Sequence, residues 1–394
     1  MMQEQKTGRL VPLEGLRGIA AVIVMLGHMV RGLVPPDHGH LDALNQLHRW
    51  LLNGGAAVSV FFVLSGFILS LPFAKDRSPV RVAAALLKRW PRLAALTTIA
   101  CLFSWATIVL SQDYYEQAAA VTGNQWMASH FNAPLHGHEI SWAEALRDGV
   151  YRVFLFGEVK FDSPLWTMRI ELFGSFAIFL AAPVLFGLKH WPLRLGAIGL
   201  AMAAVGVTAP MTYFSDFLVG TILAMLFAEN KMPRFSNWAA MGMGLAGIYL
   251  FCFSATENHH IHAPIKALMP AGETAHFVWD ASAALIIMVL LGNPFLCHIF
   301  SKAWAARLGL ISFPLYLLHV PIMLSAGAAS FMSTVATLGI SAAILVAAAV
   351  TIVLTLLCAL PLAWVDKAWT GALGRVTARL LKSGPANNPK AAAD

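Results

Sequence analysis

Apolar runs of bilayer-spanning length recur along the whole chain, and this restricts the fold more than any other feature. Runs such as 18–27, 281–291 and 340–350 sit inside longer stretches that are almost free of charge. About 20 such residues cross the hydrocarbon core as a helix. Only 12% of the 394 residues are charged and 58% are hydrophobic, with a mean hydropathy of +0.68. A soluble domain carries a charged fraction of about 25%. Ten spans are expected, near 11–31, 53–74, 92–111, 164–187, 192–209, 213–229, 238–255, 275–292, 308–329 and 335–362. The expected fold is therefore an all-α integral membrane protein, a bundle of about ten transmembrane helices. Spans and short loops use up the length, so residues 1–370 read as one transmembrane domain and 371–394 as a cytoplasmic tail. The Ser-, Gly-, Pro- and Asn-rich stretch after Lys382 reads as disordered.

An even number of spans puts both ends of the chain on one side, and basic residues choose that side. With the N-terminus inside, the cytoplasmic segments hold 19 Lys and Arg against 6 in the outer loops. The expected topology is N-in and C-in. The net charge of +7 and pI of about 9.4 follow from this asymmetry, and no nucleic-acid partner is implied. The four cysteines (Cys101, Cys252, Cys297, Cys358) form no CxxC pair, so neither a zinc site nor a disulfide framework is indicated. The first apolar run lacks a small-residue cleavage site and carries Glu14 and Arg17 near its start, unlike a cleaved signal.

Two outer loops are long, at 112–163 and 256–274, long enough to cover a binding cavity. They carry His130, His136, His138, His259, His260 and His262. Their spacing matches no standard metal pattern, so they are read as solvated loop residues and no metal is expected.

Ionisable groups inside spans are costly and therefore candidates for function. Arg17 and His28 lie 11 positions apart in the first span. That returns to within about 20° of the same helix face and separates them by about 16 Å along the axis. A cation toward the cytoplasm and a base toward the outer surface would suit a substrate threading between them. Alternatively, Arg17 snorkels to the inner headgroups and His28 rests at the outer interface. Thr167, Glu171 and Ser175 repeat at i, i+4, i+8 and make one polar stripe that points Glu171 inward, whereas Arg169 lies roughly 200° around the helix. A structural ion pair is the other reading of these two charges. Ser312, Tyr316 and His319 share a face at i, i+4, i+7, where interhelical hydrogen bonding is the simpler role. The basic segment Lys75, Arg77, Arg81, Lys88, Arg89, Arg92 reads either as an orientation and lipid-contact signal or as a phosphate clamp.

Taken together these features resemble the membrane acyltransferase family 3, which includes O-antigen, peptidoglycan and Nod-factor O-acetyltransferases. The resemblance covers the whole chain. It rests on Arg17, ten residues and His28, within Glu-Gly-Leu-Arg-Gly; on Phe61-Phe62-Val63-Leu64-Ser65-Gly66-Phe67; and on Lys88-Arg89-Trp90-Pro91-Arg92. It rests also on Leu165-Trp166-Thr167-Met168-Arg169-Ile170-Glu171 and on Tyr316-Leu317-Leu318-His319. Glu14 stands where the family usually has Asp, Ala95 and Thr97 where Pro and Tyr are frequent, and Arg169 where a small residue is common. The chain looks like the stand-alone form, without the SGNH hydrolase-like domain of some members.

The resemblance implies an acyl-CoA donor, acetyl-CoA by default, on the cytoplasmic side. It implies a glycan or other hydroxyl acceptor facing outward, a bacterial cytoplasmic membrane, and no tightly bound cofactor. On that basis Arg17, Lys88, Arg89 and Arg92 are expected to hold the donor. His28 is the expected general base or acyl carrier, with Arg17 and Glu171 completing the catalytic set. Trp166, Arg169, Tyr316 and His319 are expected to line the substrate site. The competing class is a transporter or permease, which predicts inverted repeats and paired broken helices. The sequence displays neither.

Overall fold

The structure, a computed structural model, describes residues 10–36, 41, 45, 50–111, 113–129, 141–207, 213–254, 260–267 and 275–382. Among these residues all regular structure is helical. In lipid a spanning segment must satisfy its own backbone, and a helix does so within one stretch of chain. The main helices are α1 (Val11–Leu33), α2 (Gly54–Ser70), α3 (Pro79–Leu110), α4 (Tyr114–Thr122) and α5 (Trp166–Gly187). They continue with α6 (Trp191–Val207), α7 (Phe214–Ala228), α8 (Asn237–Phe251), α9 (Ala275–Gly292) and α10 (Pro294–Phe300). The last three are α11 (Ala303–Ile322), α12 (Ala328–Leu338) and α13 (Ile340–Lys382). Each of the ten expected spans falls on one of them. Among the described residues six stretches are long and apolar enough to cross a membrane, or seven if α9 and α10, bent by 95°, form one span; α6 and α7 are shorter apolar helices.

Two boundaries differ from expectation, each for a local reason. The third span was expected to begin near residue 92, but α3 begins at Pro79. Ser78 caps it by accepting from the Arg81 amide at 3.3 Å, and Pro79 suits the first turn. Arg81, Lys88, Arg89 and Arg92 are therefore helical and not part of a loop. The final helix runs on to Lys382 without a break. Its 43 residues span about 64 Å, twice the hydrocarbon thickness. Part of the expected tail, 371–382, is thus helix, and the stretch after Lys382 lies outside the described residues. Just before this extension, Trp369 donates its indole N–H to the carbonyl of Pro91, inside α3, at 2.9 Å.

Glycines set the closest helix crossings. A Cβ on Gly15 would stand 2.6 Å from the Ala305 Cβ, and one on Gly309 would stand 2.6 Å from the Glu14 Cβ. Small residues let backbones approach, and in a membrane that contact replaces the missing hydrophobic drive between helices. Further along, Gly32 meets Met323, so α1 and α11 run parallel. Gly66 and Gly220 meet the backbone of the opposite helix in the same way, and Ser70 bonds Thr221 at 2.7 Å, so α2 and α7 are also parallel. Strict alternation of ten spans requires both relations, because the pairs are the first with the ninth and the second with the sixth.

Beyond the His319 turn α11 leaves regular geometry. Pro314 and Pro321 lie inside it, and a π-helical turn at Met323–Gly327 leads into α12. Proline removes a backbone donor, and π turns collect near functional positions.

The crossing predicts a contrast between two glycines. Gly309→Val should overpack it and cost about 1–3 kcal/mol. Gly199→Ala, in α6 with open space around the added methyl, should be neutral or slightly stabilising. Thermal unfolding of both variants in detergent checks this.

Candidate active site

The α1–α11 crossing carries two polar contacts, one at each end. Toward its start, Arg17 donates from Nε to Ser312 Oγ at 2.9 Å and from Nη2 to the Gly309 carbonyl at 2.9 Å. Both partners are neutral, and among the described residues no carboxylate lies within ion-pair distance of Arg17. Glu14, Arg92, Asp366 and Glu171 act on it only through longer-range electrostatics. Three turns along the same face, His28 Nδ1 lies 2.8 Å from His319 Nε2. His319 is completely buried and His28 partly so. His28 also lies near Trp126, with ring centres 5.5 Å apart and planes within 12°. Trp126 in turn carries the Arg31 guanidinium 5.3 Å from its ring centre.

Tyr316 sits one turn before His319. Its hydroxyl donates to the Pro164 carbonyl at 3.0 Å and lies 3.1 Å from Thr167 Oγ1. This bond fixes the start of α5 against α11. The three polar residues of α11 thus have separate partners: Ser312 holds Arg17, Tyr316 holds α5, and His319 meets His28.

Glu171 faces inward, as its spacing suggests, and there meets Arg89. Its Oε1 is paired with Arg89 Nη2 and accepts from Ser65 Oγ at 2.8 Å. Arg89 Nε donates to Ser175 Oγ at 2.7 Å. Both side chains are buried, with 8% and 13% of their surface exposed. Glu171, expected in the catalytic set, and Arg89, expected at the donor, thus meet each other in a buried ion pair joining α2, α3 and α5. The physical reason is charge compensation: two charges taken out of water are tolerated when they satisfy each other. Ser65, which completes the pair, stands in the 61–67 phrase of the sequence, where no role was assigned to it.

The other expected site residues are scattered. Lys88 and Arg92 are half-buried on α3, and Arg92 is close enough to repel both Arg17 and Arg89 electrostatically. Trp166 is 37% exposed with its ring 5.3 Å from Tyr213. Arg169 is exposed and packs against Gly157, on the face opposite Glu171 as the helical geometry demands. Arg77 donates to the Phe186 carbonyl at 2.8 Å, and Arg81 pairs with Asp76 at the surface. Asp162, just before α5 and not singled out by the sequence, is completely buried, and burial pushes its carboxyl well above the usual range. His262 lies 3.1 Å from the Tyr249 carbonyl, whereas His130, His136, His138 and His259 lie outside the described residues. Among the described residues no group of three potential metal ligands occurs.

This geometry sits within a recognisable family. A family model described as an acyltransferase domain, of acyltransferase family 3, matches residues 11–364. The chain belongs to that family. A relative, O-acetyltransferase PaAT-1 of Phomopsis amygdali, is 25% identical over 375 residues, covering 83% of this chain and 75% of its own. No solved structure matches the chain. It is thus a multi-pass membrane protein and an acyltransferase, and the Arg17-to-His28 face lies within the family's matched region.

In this acyltransferase the buried pair should behave as structure. Arg89→Leu and Glu171→Leu should each cost about 3–5 kcal/mol, because each strands one buried charge. The double variant should cost much less than the sum. A double-mutant cycle of thermal unfolding in detergent measures this, and additive losses would return both residues to the list of ligand contacts.

Proposed function

We propose that the enzyme moves an acyl group from acyl-CoA on the cytoplasmic side to a hydroxyl of an extracytoplasmic glycan or related acceptor, with His28 as general base. Acetyl is the acyl group proposed, and the relative's name, O-acetyltransferase, supports both the acetyl group and the oxygen acceptor. The setting proposed is a bacterial cytoplasmic membrane with both ends of the chain inside. That orientation rests on the asymmetry of Lys and Arg between loops.

One observation carries the reading. A cation with no carboxylate partner among the described residues and a histidine held by a second histidine share one face of α1, about 16 Å apart. Arg17, with Arg92 beside it, would attract the donor's phosphates at the inner end, and Lys88 extends the same basic surface. The flexible pantetheine arm would then carry the thioester toward His28. His28 takes the proton of the acceptor hydroxyl, and the oxygen forms a bond to the thioester carbon. The carbon–sulfur bond breaks, and the CoA thiolate leaves and recovers the proton from His28. Imidazole suits this cycle because its ordinary pKa of about 6.5 lets it take and return a proton near neutrality. No bound metal or prosthetic group enters these steps.

The test is acetyl-CoA turnover by purified protein in nanodiscs. Wild type should release free CoA in the presence of a hydroxyl acceptor. His28→Ala should lose at least about 10²-fold in kcat while remaining folded. Arg17→Ala should chiefly raise KM for acetyl-CoA. Undiminished release by the His28 variant would remove it from the chemistry. A folded wild type that neither binds nor turns over acetyl-CoA would point to another donor or to a permease.

A further inference from the structure

The sequence reading grouped His319 with substrate-lining residues, but its contacts all point to a different partner. Its Nδ1 lies 2.8 Å from the Tyr316 carbonyl and 3.2 Å from the Leu315 carbonyl, both on its own helix. A carbonyl oxygen only accepts, so this nitrogen carries the hydrogen. The opposite nitrogen, Nε2, faces His28 Nδ1 at 2.8 Å. If His319 were doubly protonated, a cation would sit fully buried in an apolar bundle, and no described carboxylate pairs with it. That arrangement is costly in a membrane. His319 is therefore neutral, its Nε2 presents a lone pair, and the hydrogen in the contact belongs to His28 Nδ1.

The ring geometry agrees. The two ring centres are 5.1 Å apart and the planes differ by 10°. That separation is close to the hydrogen-bond length plus two ring radii, which places centres and nitrogens nearly on one line. The contact is thus an in-plane bond along the nitrogen lone pair and not a face-to-face stack.

We infer that His319 is a positioning residue that locks His28 in the Nδ1–H tautomer and thereby places the basic lone pair on His28 Nε2. The inference rests on the reading of His28 as general base. Its logic is that of a catalytic triad, in which a third group holds the imidazole in the productive tautomer. Here the third group is a neutral histidine anchored by two backbone carbonyls. A carboxylate would orient the ring equally well but would add an uncompensated charge to a site already deep in the bundle. Trp126, its ring centre 5.5 Å from that of His28 and its plane within 12°, packs beside the same imidazole.

Two readouts test the assignment, and the first does not depend on turnover. Nitrogen NMR of protein labelled with 15N-histidine, with His28→Ala used to identify the His28 signals, reports which ring nitrogen carries the hydrogen. Wild type should have Nδ1 of His28 protonated and Nε2 bare near neutral pH. Finding the hydrogen on Nε2 in wild type would overturn the inference, whether or not the protein proves to use acyl-CoA. The second readout is kinetic. In His319→Leu, kcat should fall by about 10²-fold with KM for acetyl-CoA unchanged. His319→Gln, whose amide oxygen can still accept from His28 Nδ1, should recover most of that loss and keep the wild-type tautomer signal. Equal losses in the Gln and Leu variants, both folded and both with the wild-type tautomer, would also overturn it. Absence of turnover in wild type alongside the expected tautomer would instead count against the acyltransferase mechanism and leave the positioning role standing.

Discussion

The parallel crossing of α1 on α11 is the contact on which the site depends. Gly15, Gly18 and Gly309 bring the two backbones together closely enough for short bonds to bridge them. One bridge ties Arg17 to Ser312 and Gly309, and the other ties His28 to His319. Two bridges on one rigid pair fix both position and rotation. A slide by one helical turn, about 5.4 Å, would break both together. The distance between Arg17 and His28 is therefore set by helix geometry and not by loops. Loops tolerate change, whereas a reaction needs its groups placed to within about half an ångström.

The ionised groups divide by whether the protein itself neutralises them. Arg89 and Glu171 do so for each other, with Ser65 and Ser175 taking up remaining hydrogen-bonding capacity. Such a pair costs desolvation energy and contributes mainly by being intolerant of half removal. Glu229, at the end of α7, belongs to the same class near the surface: it accepts from the Trp191 indole at 2.8 Å and pairs with Arg194 and Lys231. Arg17 is different. Among the described residues its hydrogen-bond partners are a hydroxyl and a carbonyl, which align the guanidinium, while Glu14, Asp366 and Glu171 attract it and Arg92 repels it only at longer range.

Much of the fold was legible because a bilayer imposes so few solutions. Span number and approximate position follow from apolar run length alone, and each expected span falls on a helix. The stripe of Thr167, Glu171 and Ser175 faces inward as its spacing requires, and Arg169 faces away. What spacing cannot supply is the partner across the helix gap. Glu171 has one inward direction, but Arg89 and His28 are both within the range of sites that an inward carboxylate could reach. Arg89 wins because a buried cation needs it more than a neutral imidazole does. The start of α3 was missed for a related reason. Basic residues read as a loop in a hydropathy profile, although Lys and Arg are good helix formers and Ser78-Pro79 is a helix start. His319 was visible as a polar residue on a polar face, yet its role depends on which nitrogen meets which atom, and that is fixed only in three dimensions.

On the proposed function, the separation of a charged binding end from a neutral chemical end has a physical rationale in a membrane. A charged side chain near the bilayer centre costs several kcal/mol unless water or an opposite charge attends it. On the proposed function, Arg17 would recover that cost only when an anionic donor arrives, so the energy of an unbalanced charge becomes binding energy for the substrate. The base faces the reverse problem. An ionised orienting group beside His28 would be present through the whole cycle and would stabilise the protonated imidazole, slowing return of the proton to the leaving thiolate. A neutral histidine held by backbone carbonyls orients the ring without adding a charge beside it. Charge is thus admitted where a ligand can balance it and withheld where a proton must come and go.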